Sequence, residues 1–230
     1  MKKDVLTDSM LKRLFQIPLF HDMREELKAS IAERLDFTAY RIDKKEEIIR
    51  QGSPCRHLYV LIKGTLQVDI IDGNGNSVMV EHIEAPRTFA TPHLFNRQDN
   101  RFPATFTALT DCVLLTATRD ATFRLISEEP DLLRNFLCVT GNCNACTVSR
   151  LNVLSYKTVR GRFIAYVMSL KKADSLSVRI RHNYSQLAEY LNVTRPALSK
   201  EIHKLEEEGI IRIDGPHIEL LQTVTAEGWK

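Results

Sequence analysis

The residues that most constrain the fold of this chain run from Asn183 to Leu221, where signals for helix, tight turn, helix and hairpin follow without a gap. Ser185 or Tyr184 opens a short helix carrying Leu187, Ala188 and Leu191. Leu191-Asn192-Val193 makes a sharp turn, and Asn tolerates the left-handed backbone such a turn needs. Thr194 is placed to cap a second helix, with Pro196 in its first turn, where a missing N–H costs nothing. Leu198, Ile202 and Leu205 fall at i, i+4 and i+7 and form one inward stripe. Arg195, Ser199 and Lys200 lie off that stripe and face outward. The helix stops at Gly209, and two alternating segments, Ile210–Ile213 and His217–Leu221, flank Asp-Gly-Pro as a hairpin. The run reads as a winged helix-turn-helix, whose second helix presents residue types that reach base edges and phosphates in a major groove. Ser185, Gln186, Thr194, Arg195, Ser199 and Lys200 are the candidate DNA contacts.

Charge is distributed to match. Residues 1–130 carry 18 Lys+Arg against 19 Asp+Glu, whereas residues 131–230 carry 14 against 10. Between Arg150 and Arg181 there are eight bases (Arg150, Lys157, Arg160, Arg162, Lys171, Lys172, Arg179 and Arg181) and one acid, Asp174. A basic run beside a DNA-reading motif suits phosphate contact. No apolar run approaches a membrane span, and the N-terminus lacks a hydrophobic signal core, which points to the cytoplasm and to no membrane partner. Five cysteines without framework spacing argue against a disulfide scaffold.

Upstream the periodicity changes twice. Leu6–Leu35 has helical spacing broken at Pro18. From Thr38 the pattern becomes short strands, Ile48-Ile49, Leu58–Ile62, Leu66–Ile71, Val78–Ile83 and Phe106–Thr116, punctuated by Gly, Asn and Pro. Helical period returns in Ala121–Ile126 and in a long helix opening at Pro130. There Leu132, Leu133, Phe136, Leu137, Val139, Val148, Leu151 and Leu154 read as one apolar seam, suited to a homodimer. Val159–Leu170 is a further helix. The expected fold is α+β: a jelly-roll-like sensing domain with flanking helices over 1–128, a dimerisation helix over 129–156 and a winged helix-turn-helix over 157–230.

That order of parts resembles the CRP/FNR superfamily of transcription regulators. The carrying residues are Ile17-Pro18-Leu19-Phe20, Glu47 to Gly52, Leu58 to Gly64, Ala104 to Leu109 and Leu187 to Ile211. The resemblance implies a cyclic-nucleotide-binding-like β-roll and a homodimer on double-stranded operator DNA. It further implies RNA polymerase as a protein partner and two-state allostery between effector and DNA sites.

The effector motif departs from that pattern. Members that bind cyclic AMP present Phe-Gly-Glu-Leu and then an Arg that pairs with the phosphate. This chain has Phe89-Ala90-Thr91-Pro92 and Phe102-Pro103-Ala104-Thr105, with Arg101 one residue off and therefore on the opposite strand face. Cyclic AMP is not expected. Nor is an iron–sulfur cluster, because no cysteine precedes Cys55. Phe89, Thr91, His93, Phe102 and Thr105 are the candidate effector pocket, suited to a planar apolar ligand. The Phe-Pro-Ala-Thr stretch and the tail from Leu205 to Gly215 are similar to members that control hybrid-cluster proteins and nitrosative-stress responses, some of which bind haem and sense nitric oxide. His93 is the candidate haem ligand, with His82, His57 or Met79 as partners; the preferred reading of His93 is a helix-start or surface histidine. Cys143 and Cys146, spaced C-x-x-C, read as packing residues of the dimer helix, with an intersubunit metal or disulfide as the alternative. Arg195 matches the family's recognition helix, whereas Pro196 replaces its glutamate, which implies a different base read there. The competing function is a regulatory module acting on a protein partner. No nucleophile–base set, phosphate loop or metal-ligand run supports an enzyme.

Overall fold

The computed structural model describes residues 1–171, 175, 177–180 and 182–222. It divides into two compact units, one ending at Asn144 and the next starting at Ala145. In the first unit, β1 (Lys2–Asp4) leads to α1 (Asp8–Leu14), a 3-10 turn (Pro18–Phe20) and α2 (Glu25–Leu35). The Thr7 hydroxyl caps α1 by accepting from Met10 N–H, and Asp36 ends α2 in the left-handed region at φ 45°. The strands follow: β2 (Thr38–Ile42), β3 (Glu47–Ile49), β4 (His57–Lys63), β5 (Thr65–Ile71), β6 (Ser77–Glu84) and β7 (Arg87–Phe89). A four-residue helix α3 (Thr91–Leu94) precedes β8 (Thr105–Ala108), β9 (Cys112–Thr118) and α4 (Arg119–Glu128). The long helix α5 (Pro130–Ser155) runs across the boundary between the units.

The strands form two antiparallel sheets, ordered β1-β2-β9-β4-β7 and β3-β8-β5-β6. Alternation along each strand sends Leu58, Val60, Leu66, Val68, Phe106 and Leu114 into one core with Phe20, Ile31 and Phe37 from the helices. The expected single strand Phe106–Thr116 is two strands, β8 and β9, which belong to different sheets. The chain changes sheet at Leu109–Asp111, and Gly64 makes the approach of that corner possible. Gly64 sits at φ +94°, and a Cβ there would lie 2.7 Å from Asp111 O and 2.5 Å from Cys112 Sγ.

The apolar positions of α5 do not form one seam. Leu132 and Phe136 are buried in the core of the first unit, and Val139 packs against it. Leu133, Leu137, Val148 and Leu151 are exposed. One helix thus carries a core-facing row and a separate open row. Cys138 and Cys146 are exposed and Cys143 is half-buried. No helix among the described residues is long and apolar enough to cross a membrane.

The second unit contains α6 (Val159–Leu170), β10 (Ser177–Arg179), α7 (Tyr184–Tyr190), α8 (Arg195–Glu207), β11 (Ile211–Asp214) and β12 (His217–Leu220). Phe163, Val167, Leu187, Leu191, Leu198, Leu205, Ile211 and Ile218 make its core. The wing gains a third strand, since β10 pairs with β12 in the order β10-β12-β11.

Candidate nucleic-acid interface

The helix-turn-helix is built by local capping. α7 opens at Tyr184, one of the two expected first residues, and Asn183 caps it. Its Oδ1 accepts from Gln186 N–H at 2.9 Å, and Gln186 Oε1 accepts from Asn183 N–H at 2.9 Å, a reciprocal capping box. Asn192 takes φ 52° in the turn, and Val193 N–H donates back to Ala188 O at 3.0 Å. Thr194 Oγ1 accepts from Ala197 N–H and caps α8, with Pro196 in the first turn. Two candidate DNA contacts, Gln186 and Thr194, therefore also hold the fold of the reader.

Leu198, Ile202 and Leu205 are buried along one side of α8. Arg195, Ser199 and Lys200 are all exposed on the other side, as is Ser185 on α7. His203 is exposed too and follows Ser199 at i+4, so it extends the outward row by one turn. Its position was readable from spacing, yet outward polarity alone does not mark a contact.

Three members of the basic run are spent inside the unit. Arg162 donates from Nε to Tyr156 O at 2.8 Å, and from Nη1 to Leu191 O and Asn192 O, both at 3.0 Å. It thereby satisfies carbonyls that the end of α7 leaves without intrahelical partners. Arg150 is 7% exposed, with its guanidinium 4.5 Å from the Tyr190 ring centroid, a cation–π contact. Tyr190 in turn stacks on His182, whose Nδ1 lies 2.8 Å from Tyr166 Oη. Arg160 is paired with Glu201 and Glu208. The expectation of a footprint suited to phosphate contact is therefore corrected for these three: Arg150, Arg160 and Arg162 are held by protein groups, because buried or half-buried guanidinium needs carboxylate, carbonyl or ring partners. Lys157 and Arg179 are exposed. Lys172, Asp174 and Arg181 lie outside the described residues.

In the first unit the expected effector pocket is filled. Phe89, Thr91, Phe102 and Thr105 are 5%, 3%, 2% and 5% exposed. The Phe89 ring lies 5.2 Å from Phe106 and 5.6 Å from Tyr59, and Phe102 lies 5.6 Å from Tyr59 and 5.8 Å from Phe106. These separations are those of mutually packed aromatic rings. Thr105 Oγ1 accepts from Gln51 N–H at 3.1 Å, and burial pushes the Tyr59 hydroxyl up to about 12. Phe102 is interior where the family pattern has an arginine, while Arg101 is exposed and bridges to Pro54.

The remaining pocket candidate, His93, stands on α3 beside a shallow hollow of about 310 Å³ lined by Gln51, Asn96, Asp99, Arg101 and Phe102 among others. Burial lowers its imidazole below the usual range. His57, His82 and Met79 do not line that hollow. His57 packs on Tyr59 in β4, and His82 pairs with Gln67 in the other sheet. Haem needs axial imidazole or thioether at an apolar slot. An open hollow with one histidine does not supply such a slot, and none of the expected axial partners lines it beside His93. Among the described residues no three of His, Cys, Asp or Glu come together as a metal site.

Comparison with known proteins agrees with this architecture. The family described as "Cyclic nucleotide-binding domain" matches residues 40–129, and the family described as "Crp-like helix-turn-helix domain" matches residues 161–223. The "Probable transcriptional regulator flp" of Lacticaseibacillus casei is 22% identical over 213 residues, covering 92% of this chain and 94% of that protein. The "cAMP-activated global transcriptional regulator CRP" of Escherichia coli is 21% identical over 184 residues, covering 78% and 87%. Among solved structures, a CooA mutant from Carboxydothermus hydrogenoformans superposes with a TM-score of 0.67 at 17% identity, covering 97% of each chain. With a nucleotide-binding-type β-roll before the long helix and a Crp-like helix-turn-helix after it, this chain belongs to the CRP/FNR superfamily of transcription regulators.

Proposed function

We propose that the protein is a homodimeric operator-binding regulator, with RNA polymerase as its protein partner, whose β-roll answers an effector other than cyclic AMP. The observation that carries the DNA reading is the division of α8. Leu198, Ile202 and Leu205 anchor one side, while Arg195, Ser199 and Lys200 stand exposed on the other. In this reading Arg195 and Lys200 reach base edges, while Ser185, Gln186 and Thr194 lie against phosphates at the mouth of the groove. The open row Leu133, Leu137, Val148 and Leu151 supports self-association along α5, which sets two readers about one helical turn of DNA apart. Exclusion of cyclic AMP is supported by the packed Phe89–Phe102–Phe106–Tyr59 interior, which offers a buried phosphate no cation.

The test is selection of a duplex from a randomised pool, followed by affinity measurements across salt. Arg195→Ala should weaken the selected site by about 1–3 kcal/mol and relax one base position in each half-site. Equal binding of matched and mismatched duplexes by the unaltered protein would reject sequence-specific reading. Unchanged discrimination in Arg195→Ala would reject this residue's role.

A further inference from the structure

Arg160 stands in the first turn of α6, outside the helix-turn-helix, with its side chain only 11% exposed. Its Nε donates to Glu201 Oε1, and Nη1 and Nη2 donate to the two oxygens of Glu208 at 2.7 and 3.0 Å. One carboxylate lies within α8 and the other on its C-cap residue. Glu201 and Glu208 are seven residues apart, two turns of one helix face, so a single guanidinium spans the flank of the recognition helix. The bidentate fork fixes direction as well as distance, which an ammonium cannot do. The pairing holds the Glu208 carboxyl below the usual carboxylate range and the Arg160 guanidinium above its own.

This flank lies beside the buried Leu198–Leu205 stripe and away from Ser199 and His203. A tie there resists rotation of α8 about its axis. It adds a directional restraint to the close packing of the buried stripe. Rotation would displace Arg195, Ser199 and Lys200 from base edges while leaving positive charge near the phosphates.

We propose that Arg160 is a positioning residue for operator recognition: by clasping Glu201 and Glu208 it fixes the azimuth of α8, and so governs specificity and not general DNA affinity. The inference rests on the DNA-binding reading above. Arg160 itself is not a phosphate contact, since its donors are committed to carboxylates and the group is nearly enclosed.

The experiment uses the full chain, a duplex selected from a randomised pool with the unaltered protein, and an unrelated duplex of equal length. Fluorescence anisotropy gives affinity for both across a salt series. Arg160→Met should lower the ratio of selected to unrelated affinity about tenfold, the size of a coupled contact. Its salt slope on the unrelated duplex should stay the same. Arg160→Lys should recover only part of the ratio, and Glu208→Gln should lower it in the same direction. A slope on the unrelated duplex that falls by about one, with the ratio intact, would make Arg160 a phosphate contact and overturn the proposal. An unchanged ratio and slope would also overturn it. Hydrogen exchange of α8 amides supplies a measure independent of DNA: faster exchange over Lys200–Glu207 in Arg160→Met supports the clasp, and unchanged exchange rejects it. If the unaltered protein selects no duplex, the DNA-binding reading fails, and the exchange result alone decides whether the clasp holds the helix.

Discussion

Truncating Phe102 distinguishes a filled β-roll from one that holds a ready-made ligand slot. Phe102 is 2% exposed and touches Tyr59 and Phe106 at ring separations of 5.6 and 5.8 Å. Phe→Ala in a packed core removes the transfer free energy of the ring and leaves a cavity, about 3–5 kcal/mol together. Two lost edge-to-face contacts place Phe102→Ala near the upper end, about 4 kcal/mol. For a unit of this size that is a shift of roughly 10–15 °C in its melting temperature. Because the chain has two compact units, a single global midpoint can mask the effect, so the readout is hydrogen exchange of the β4 and β8 amides near the ring. The control is Phe123→Ala: that ring is 59% exposed with one edge-to-face contact to Phe95, and its loss should cost about 1 kcal/mol. The space left by Phe102→Ala should take up benzene or xenon, and the unaltered protein should not. A cost below about 1 kcal/mol, or xenon uptake by the unaltered protein, would show that Phe102 does not fill the interior and that ligand space already exists there.

Three further outcomes are expected. Replacing Leu137 and Leu151, 62% and 63% exposed on the open row of α5, with Glu should convert a sedimenting dimer to a monomer with the far-ultraviolet spectrum retained; a dimer that persists would place the interface elsewhere. Thiol titration should modify exposed Cys138 and Cys146 first and Cys143 more slowly. Buried Cys55 and Cys112 should wait for unfolding, since burial pushes the Cys55 thiol up to about 11 and leaves about one part in a thousand as thiolate at pH 8. His57 and His93 are both lowered by burial, so the unfolded chain binds more protons than the folded one as pH falls. Their contribution is complete above the ordinary histidine value and is lost below it; the melting temperature should drop from pH 7.5 to 5.5, and less in His57→Gln/His93→Gln. An equal drop in that double variant would assign the pH dependence to other groups.

Much of the reader was legible because its rules are local. Asn192 at the turn, Thr194 before Pro196, and the Leu198–Ile202–Leu205 stripe each fix backbone or face within a few residues. The capping box of Asn183 and Gln186 was equally local: Asn followed three residues later by Gln before an apolar run is its signature. The fate of the basic run was not legible. A count of arginines gives net charge, but Arg162 reaches carbonyls about 30 residues away and Arg160 reaches carboxylates 41 and 48 residues away. Only the packed fold decides which guanidinium remains for DNA. β1 was hidden for a different reason. Lys2–Asp4 is a charged edge strand with no apolar alternation, held by pairing with β2 and by an ion pair from Arg41 to Asp4.

The effector domain illustrates the same limit at the level of the site. The missing arginine was visible in a four-residue motif, and the structure places Phe102 in the interior at that position. What the motif could not say is that Tyr59 and Phe106, from β4 and β8, pack on that ring, and that Phe89 from β7 packs on both of them. An effector that enters the roll must displace this cluster or bind outside it. Along the core side of α5, Leu132 and Phe136 are the buried anchors, and Phe136 lies 5.4 Å from Phe95, which also meets Phe123 at 5.7 Å. Phe95 follows directly on α3, the helix that carries Thr91 and His93. A change at α3 therefore has a packed route to α5 through one aromatic side chain, with no need for an open pocket at Phe102. Dense packing transmits such a displacement because neighbouring rings have no free volume to absorb it.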